Sequence, residues 1–270
     1  MIEKDSRIHV TQDAPEVTTK RIAAGEQMSN EQDQLFAKSR ALTTGFRFDE
    51  QVVKVFPDMI ARSVPGYELI VPMIGLLARR YAQPDSKIYD LGSSLGAASL
   101  AMSLAVRANG TEIIAVDNSA AMVERCKKSL AENGGRIPID VRLQNMLDTK
   151  IENASVVVLN FTLQFLDLDQ RQALINRIAA GMRTGGALIL SEKICFEDEL
   201  EQADQTVWHH DFKRAQGYSE LEIAQKRNAL EDVLRPETER AHLDRLQQAG
   251  LSNPRRWFQC FSFASYIAFK

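Results

Sequence analysis

Large apolar side chains are sparse and aperiodic before Phe36, and the first 45 positions are dominated by polar and charged residues. That stretch reads as a polar N-terminal arm, partly disordered or folded into loosely docked helices. From Phe46 apolar residues return at helical spacing, and Pro65-Gly66 divides them into helices over roughly 52–63 and 68–81. The pattern then alternates. Short apolar runs at 87–91, 112–116, 139–143, 154–161 and 187–191 predict strands, with helices at 97–107, 120–133 and 169–182 between them. The run ASVVVLNF at 154–161 is apolar enough to lie centrally. Strands alternating with helices of this length form a parallel sheet covered on both faces.

After Lys193 the alternation stops. Residues 196–234 are charged, helical in pattern and too many for an ordinary connection. A helix over 242–249 closes at Gly250, and 256–261 with 265–269 predict an antiparallel hairpin on one edge of the sheet. The expected architecture is α/β and Rossmann-like, with a mostly parallel seven-stranded sheet. It forms one domain over 46–270, carrying a helical insertion at about 196–234.

Composition narrows the setting. The chain has 270 residues and a formal net charge of −3, so nothing in its charge favours direct binding to nucleic acid or anionic lipid. No apolar run approaches the roughly 20 residues that span a bilayer, and the N-terminus has no apolar signal segment. Cys126, Cys195 and Cys260 are odd in number and scattered, which favours reduced thiols in a cytoplasm over a disulfide frame or a zinc site.

In an open parallel sheet the ligand lies beyond the carboxyl ends of the strands. After the first strand, KIYDLGSSLGAASL places Asp90, Gly92, Ser93 and Ser94 in a turn that opens a small-residue helix. A dinucleotide fold would have G-x-G-x-x-G there; the middle glycine is absent, and so is any G-x-x-x-x-G-K-[ST]. After the second strand come Asp117 and Asn118, after the third Asn145 and Met146, and after the fourth Asn160, Phe161 and Thr162. An acid ending the second strand is the ribose-binding signature, since a carboxylate can accept both ribose hydroxyls. The ligand predicted is a nucleoside without a pyrophosphate, and S-adenosylmethionine fits.

Longer strings sharpen this. FDEQVVKVFPDMIARSVPGYELI, YDLGSSLGA, VDNSAAMVERC, VVLNFTLQFL, GGALILSEK, HHDFKRAQGYSELEIAQKR and WFQCF resemble the carboxy-S-adenosylmethionine synthase family, within the class I S-adenosylmethionine-dependent methyltransferases. The resemblance runs from about Phe46 to the C-terminus. It implies that Tyr67, Gly92, Ser93, Ser94, Asp117, Asn118, Asn145, Met146 and Asn160 line the S-adenosylmethionine site. It further implies that Arg227 binds the carboxylate the enzyme adds, giving carboxy-S-adenosylmethionine. The implied donor is prephenate, which becomes phenylpyruvate as its carboxyl group moves to the S-methyl carbon through an ylide that captures CO2. The product would serve a tRNA carboxymethyltransferase in wobble-uridine modification, and the family is homodimeric. Two departures stand out. Ser93 replaces the family's usual cysteine, a small residue whose backbone serves equally, and Gln144-Asn145-Met146 replaces G-D-I, so the adenine side has an amide where the family has a charge.

Other features stay open. His209, His210 and Asp211 invite a metal, but neighbouring helical histidines diverge by about 100° and no third ligand is suitably spaced, so none is expected. Lys213 and Arg214 are either readers of substrate carboxylates or a solvated face. Asp58, Glu192 and His242 receive no role. A conventional small-molecule methyltransferase on the same fold is the alternative, and a non-catalytic nucleoside- or RNA-binding subunit a third reading.

Overall fold

The computed structural model describes residues 32–35, 49–231 and 233–270. Apart from 32–35, the expectation for the N-terminal arm lies outside the described residues. Two helices lead in, α1 (Glu50–Ser63) and α2 (Tyr67–Tyr81), bent by 97° at the Pro65-Gly66 break. Asp49 caps α1 by accepting the N–H groups of Gln51 and Val52. Gly66 turns the corner at φ +82°, where a Cβ would lie 2.3 Å from the Phe258 ring.

The alternating part follows as β1 (Lys87–Leu91), α3 (Ala97–Ala105), β2 (Glu112–Asp117), α4 (Ala120–Asn133), β3 (Ile139–Leu143), β4 (Ala154–Asn160), α5 (Leu168–Gly181) and β5 (Met182–Cys195). Then come α6 (Glu199–Ala215), α7 (Glu220–Glu231), β6 (Glu237–Thr238), α8 (Glu239–Gln248), β7 (Ser252–Cys260) and β8 (Phe263–Phe269). The strand order is β3-β2-β1-β4-β5-β8-β7, with β1 to β5 parallel and β8 antiparallel to both β5 and β7. These are the seven strands that the pattern predicts. The two-residue β6, pairing with the end of β5, is additional.

β4 shows why the sheet needs both helical layers. Val157 and Leu159 enter one hydrophobic cluster with α5, while Val156 and Val158 enter another with α2 and α3. Each such buried side chain contributes about 1.5–3 kcal/mol. β5 is longer than expected because its end is held from two sides, Lys193 by Phe263 and Ile194 by Glu237. β6 has no apolar pattern. It forms where Glu237 pairs with the fully buried Arg171 and with Arg245. Among the described residues no single helix is long and apolar enough to cross a membrane.

Candidate active site

The chain moves outward from β1 to β2 and β3, then returns to the far side of β1 as β4. A crevice therefore opens beyond the carboxyl ends of β1 and β4. The turn after β1 is fastened to β2, since Gly92 and Ser93 N–H donate to the Val116 carbonyl at 2.8 and 2.9 Å. Gly92 sits at φ +81°, and a Cβ there would meet the Thr162 side chain at 2.2 Å. Ser94 takes φ 50° and donates its N–H to Asp117 Oδ2 at 2.9 Å. Asp117 Oδ1 accepts the Ser119 N–H, also at 2.9 Å, so this carboxylate joins the glycine turn to the start of α4. Its remaining lone pairs are enough for two hydroxyls. Burial raises its pKa against the backbone bonds from Ser119, Ser94 and Asn118. Asn118 beside it is exposed.

Two buried atoms in this crevice have no partner, Ser93 Oγ and Asn160 Oδ1, at the ends of the paired strands β1 and β4. Leaving a buried polar atom unsatisfied costs about 1–3 kcal/mol, and a ligand that bonds to it recovers that cost. Tyr67 belongs to the same place. Its ring centroid is 6.4 Å from that of Phe161, and its phenol is held neutral by burial with the charge of Asp90 adding to the effect. Asp90 is itself buried and accepts the Ser99 hydroxyl at 2.6 Å. Burial pushes its pKa up to about 6 against the Ser99 hydrogen bonds, and Asp117 pushes further in the same direction. Neither acid has an ion pair among the described residues. Two unpaired carboxylates suit a cationic ligand and repel a phosphate, so the residues fit a nucleoside carrying sulfonium and ammonium charges.

At the end of β3, Asn145 is exposed, and its Oδ1 accepts the Leu147 N–H at 2.9 Å to cap the short 3-10 turn Met146–Asp148. Its amide N–H groups are what it can offer a base. Met146 packs against the core and gives its carbonyl to Arg177.

A line of rings leaves the crevice in the other direction. Phe161 meets Phe263 at 5.9 Å between centroids, and Phe263 meets His209 at 4.9 Å. Around its far end stand Lys193 from β5, His209, His210 and Lys213 from α6, and Lys226 and Arg227 from α7. Burial lowers the Lys193 pKa. Burial, with Lys226 and Lys193 nearby, brings Lys213 down to about 7. His209 shares a 2.8 Å hydrogen bond with the Ser63 carbonyl, and burial foremost keeps it neutral. His209 is hydrogen-bonded structure, and the described residues hold no group of three His, Cys, Asp or Glu placed for a metal.

The structure gathers Tyr67, Gly92, Ser93, Ser94, Asp117 and Asn160 at one crevice, with Asn118, Asn145 and Met146 on the neighbouring strand ends. Arg227 stands apart from them. It is exposed on α7, without hydrogen bond or ion pair to the described residues, and its charge acts on His210. Three acids without a predicted site role prove important. Asp90 is one. Glu192, fully buried, accepts the N–H groups of Leu163 and Gln164 at 2.9 Å each and fixes the turn after β4, while burial pushes its pKa up to about 8. Asp33 accepts the Tyr218 hydroxyl at 2.6 Å and Lys226 at 3.2 Å, tying residues 32–35 to the insertion. Asp58 completes that knot, accepting the Asp33 N–H and pairing with Arg62.

A family model described as a methyltransferase domain matches residues 88–186. The chain is 55% identical over 244 residues to a carboxy-S-adenosyl-L-methionine synthase of Geobacter sp. (strain M21), covering 90% of this chain and all of that one. It is 54% identical over 240 residues to the synthase of that name from Yersinia pestis (strain Pestoides F), covering 89% and 90%. A match of 244 residues cannot fit within 46–270, so the likeness reaches into the polar arm. Among solved structures, an O-methyltransferase family protein from Burkholderia thailandensis superposes with TM-score 0.57 at 18% identity, over 83% of this chain and 60% of that one. Human N-acetylserotonin methyltransferase in complex with S-adenosylmethionine gives 0.56 at 18%, over 82% and 55%. The chain spans little more than half of these structures, and the likeness is one of fold.

Proposed function

The chain belongs to the carboxy-S-adenosyl-L-methionine synthase family, and on that premise we propose that it converts S-adenosylmethionine and prephenate to carboxy-S-adenosylmethionine and phenylpyruvate. The sulfonium acidifies the adjacent methyl C–H bonds and so supplies the carbon that takes up the carboxyl group. In prephenate the bond between ring and carboxylate breaks, its electron pair aromatises the ring, and the ring hydroxyl departs, leaving as water with a methyl proton. The released CO2 must be kept from solvent until it is captured. Tyr67, Phe161 and Phe263 are the residues placed to exclude water there. Asp117 holds the ribose hydroxyls, Ser93 and Asn160 bond to the ligand's polar groups, Asn145 donates toward the base, and Asp90 favours the cationic ligand.

The observation that carries this reading is the junction of an acidic crevice with a group of cations along one line of rings. A conventional methyltransferase has use for the first part only. The test is to incubate the protein with S-adenosylmethionine and prephenate labelled in the ring carboxylate. The expected product is heavier than S-adenosylmethionine by one CO2 and carries the label; a methylated acceptor instead would restore the plain methyltransferase. Arg227→Ala should weaken binding of carboxy-S-adenosylmethionine about 10- to 100-fold, the loss of one charge-assisted contact, and leave S-adenosylmethionine unaffected. Equal weakening of both would remove Arg227 from the site.

We place the reaction in the cytoplasm, upstream of a tRNA carboxymethyltransferase that consumes the product, without direct contact with nucleic acid or membrane. A homodimer is supported by the large apolar side chains exposed on two helices, Leu69, Met73 and Leu76 on α2 and Leu200, Val207 and Trp208 on α6.

A further inference from the structure

The buried face of α6 is polar. Gln205, His209 and Lys213 follow one another at intervals of four, so they lie on one stripe of the helix, and all three are buried. Gln205 Oε1 is buried without a hydrogen bond. The Lys213 ammonium has no hydrogen bond and no ion pair among the described residues, and the same holds for Lys193 at the end of β5. Two buried cations nearby are fully engaged. Lys226 contacts Asp33, Ser63 and Tyr218 at 3.2, 2.8 and 3.1 Å, and Arg62 contacts Asp58 and the Gln216 carbonyl at 3.0 and 2.8 Å. Lys226 and Arg62 are therefore structural. Lys193 lies close enough to Lys213 to lower its pKa, and neither has an anion among the described residues. Glu192, the acid next to Lys193 in sequence, is already committed to the N–H groups of Leu163 and Gln164.

Holding two like charges near each other without a counterion, Lys213 buried and Lys193 half-buried, is unfavourable unless something anionic arrives. The proposed reaction supplies such a partner, and the following rests on that reading. Prephenate has two carboxylates with different fates. The ring carboxylate becomes neutral CO2, so an ammonium bonded to it would stabilise the ground state more than the transition state and slow the reaction. The carboxylate of the α-keto acid side chain keeps its charge throughout, and holding it costs nothing in rate. We propose that Lys193 and Lys213, assisted by Gln205 and His209, are the anchor for the α-keto carboxylate of the donor. The ring then lies toward Phe263 and Phe161, with its departing carboxylate directed at the crevice. The same lysines hold the carboxylate of the product phenylpyruvate, which makes an aryl-substituted α-keto acid the ligand class of this pocket.

The test uses the full-length protein saturated with S-adenosylmethionine and phenylpyruvate as probe, followed by calorimetry. Wild type should bind phenylpyruvate, and Lys193→Met and Lys213→Met should each weaken it about 10- to 100-fold. Lys213→Arg should recover part. In turnover, both methionine variants should raise KM for prephenate by a similar factor with kcat nearly unchanged, because the anchored charge is the same in ground and transition states. Neither lysine has a hydrogen bond or ion pair among the described residues to lose, so its removal does not threaten the fold, and unchanged affinity for S-adenosylmethionine confirms it. Variants that keep the wild-type KM and phenylpyruvate affinity overturn the anchor alone. A rise in kcat would place the lysines on the departing carboxylate and overturn the assignment. Wild type that converts no prephenate overturns the proposed function, and this inference with it.

Discussion

Asp90 sets stability against ligand binding in a way that can be measured. It is 1% exposed, its hydrogen-bond partner Ser99 is a neutral hydroxyl, and its pKa rises from the ordinary 3.8 to about 6. A folded-state value above the unfolded one means that the native protein holds the proton more tightly. Stability from this group is fully present below pH 4, falls as pH rises toward 6, and stays low above that. A rise of this size corresponds to roughly 3 kcal/mol. Asp90→Asn keeps an acceptor for Ser99 and carries no charge. Its stability relative to wild type should therefore improve by about 3 kcal/mol between pH 4 and pH 7.5. Urea unfolding of both proteins across that range, followed by circular dichroism, measures the difference, and titrating groups that do not interact with Asp90 cancel.

The carboxylate should be worth this cost only with a cation beside it. Binding of S-adenosylmethionine by wild type should weaken as pH falls below 6, about tenfold by pH 5, because the ligand selects ionised Asp90. The variant should bind weakly and without this pH dependence. Unfolding curves that run parallel for the two proteins from pH 4 to 7.5 would refute the reasoning at its root.

Three further perturbations test the site. Gly92→Ala should cost about 2–4 kcal/mol, adding left-handed backbone strain to the collision with Thr162; the obstacle is a protein side chain, so Thr162→Ala in the same chain should recover the steric share in a thermal melt. Ser93→Ala removes a buried hydroxyl that has no partner in the protein, so apo stability should hold or rise while S-adenosylmethionine affinity falls roughly 3- to 10-fold, and a loss of both would make the hydroxyl structural. Asp33→Ala leaves Lys226 buried without its anion, a loss of about 3–5 kcal/mol, and hydrogen exchange should speed up in α7 with the sheet unaffected; uniform exchange would mean that the knot does not hold the insertion.

Strand-end chemistry was legible because it follows from order along the chain. An apolar run ending in Asp90-Leu91-Gly92, a second ending in Asp117 and a third in Asn160 must place those residues together once the sheet is parallel. Residues acting through long-range polar contacts were not. β6 exists through Glu237 and two arginines, which no periodicity announces. Glu192 and Asp33 look like ordinary surface acids until the fold buries them. A signal was present in α6, where Gln205, His209 and Lys213 make a polar stripe at helical spacing, but a polar stripe is ordinarily the solvated one.

That inversion sets the condition under which the insertion is stable. α6 turns its polar stripe inward and exposes Leu200, Val207 and Trp208 at 79%, 54% and 44%. Each choice is unfavourable for a lone chain, since the buried Lys213 lacks an anion among the described residues and apolar area meets water. Both are relieved by partners of opposite kind, a carboxylate on the inside and an apolar protein surface on the outside. In the proposed dimer the outer contact would press α6 against Phe263 and Ser63, the residues that His209 already touches. The inner contact forms only when the donor arrives, so the helix is held most firmly when CO2 is about to be released. A pocket that tightens on its own anion is a sound enclosure for a neutral gas that has no charge by which to be held.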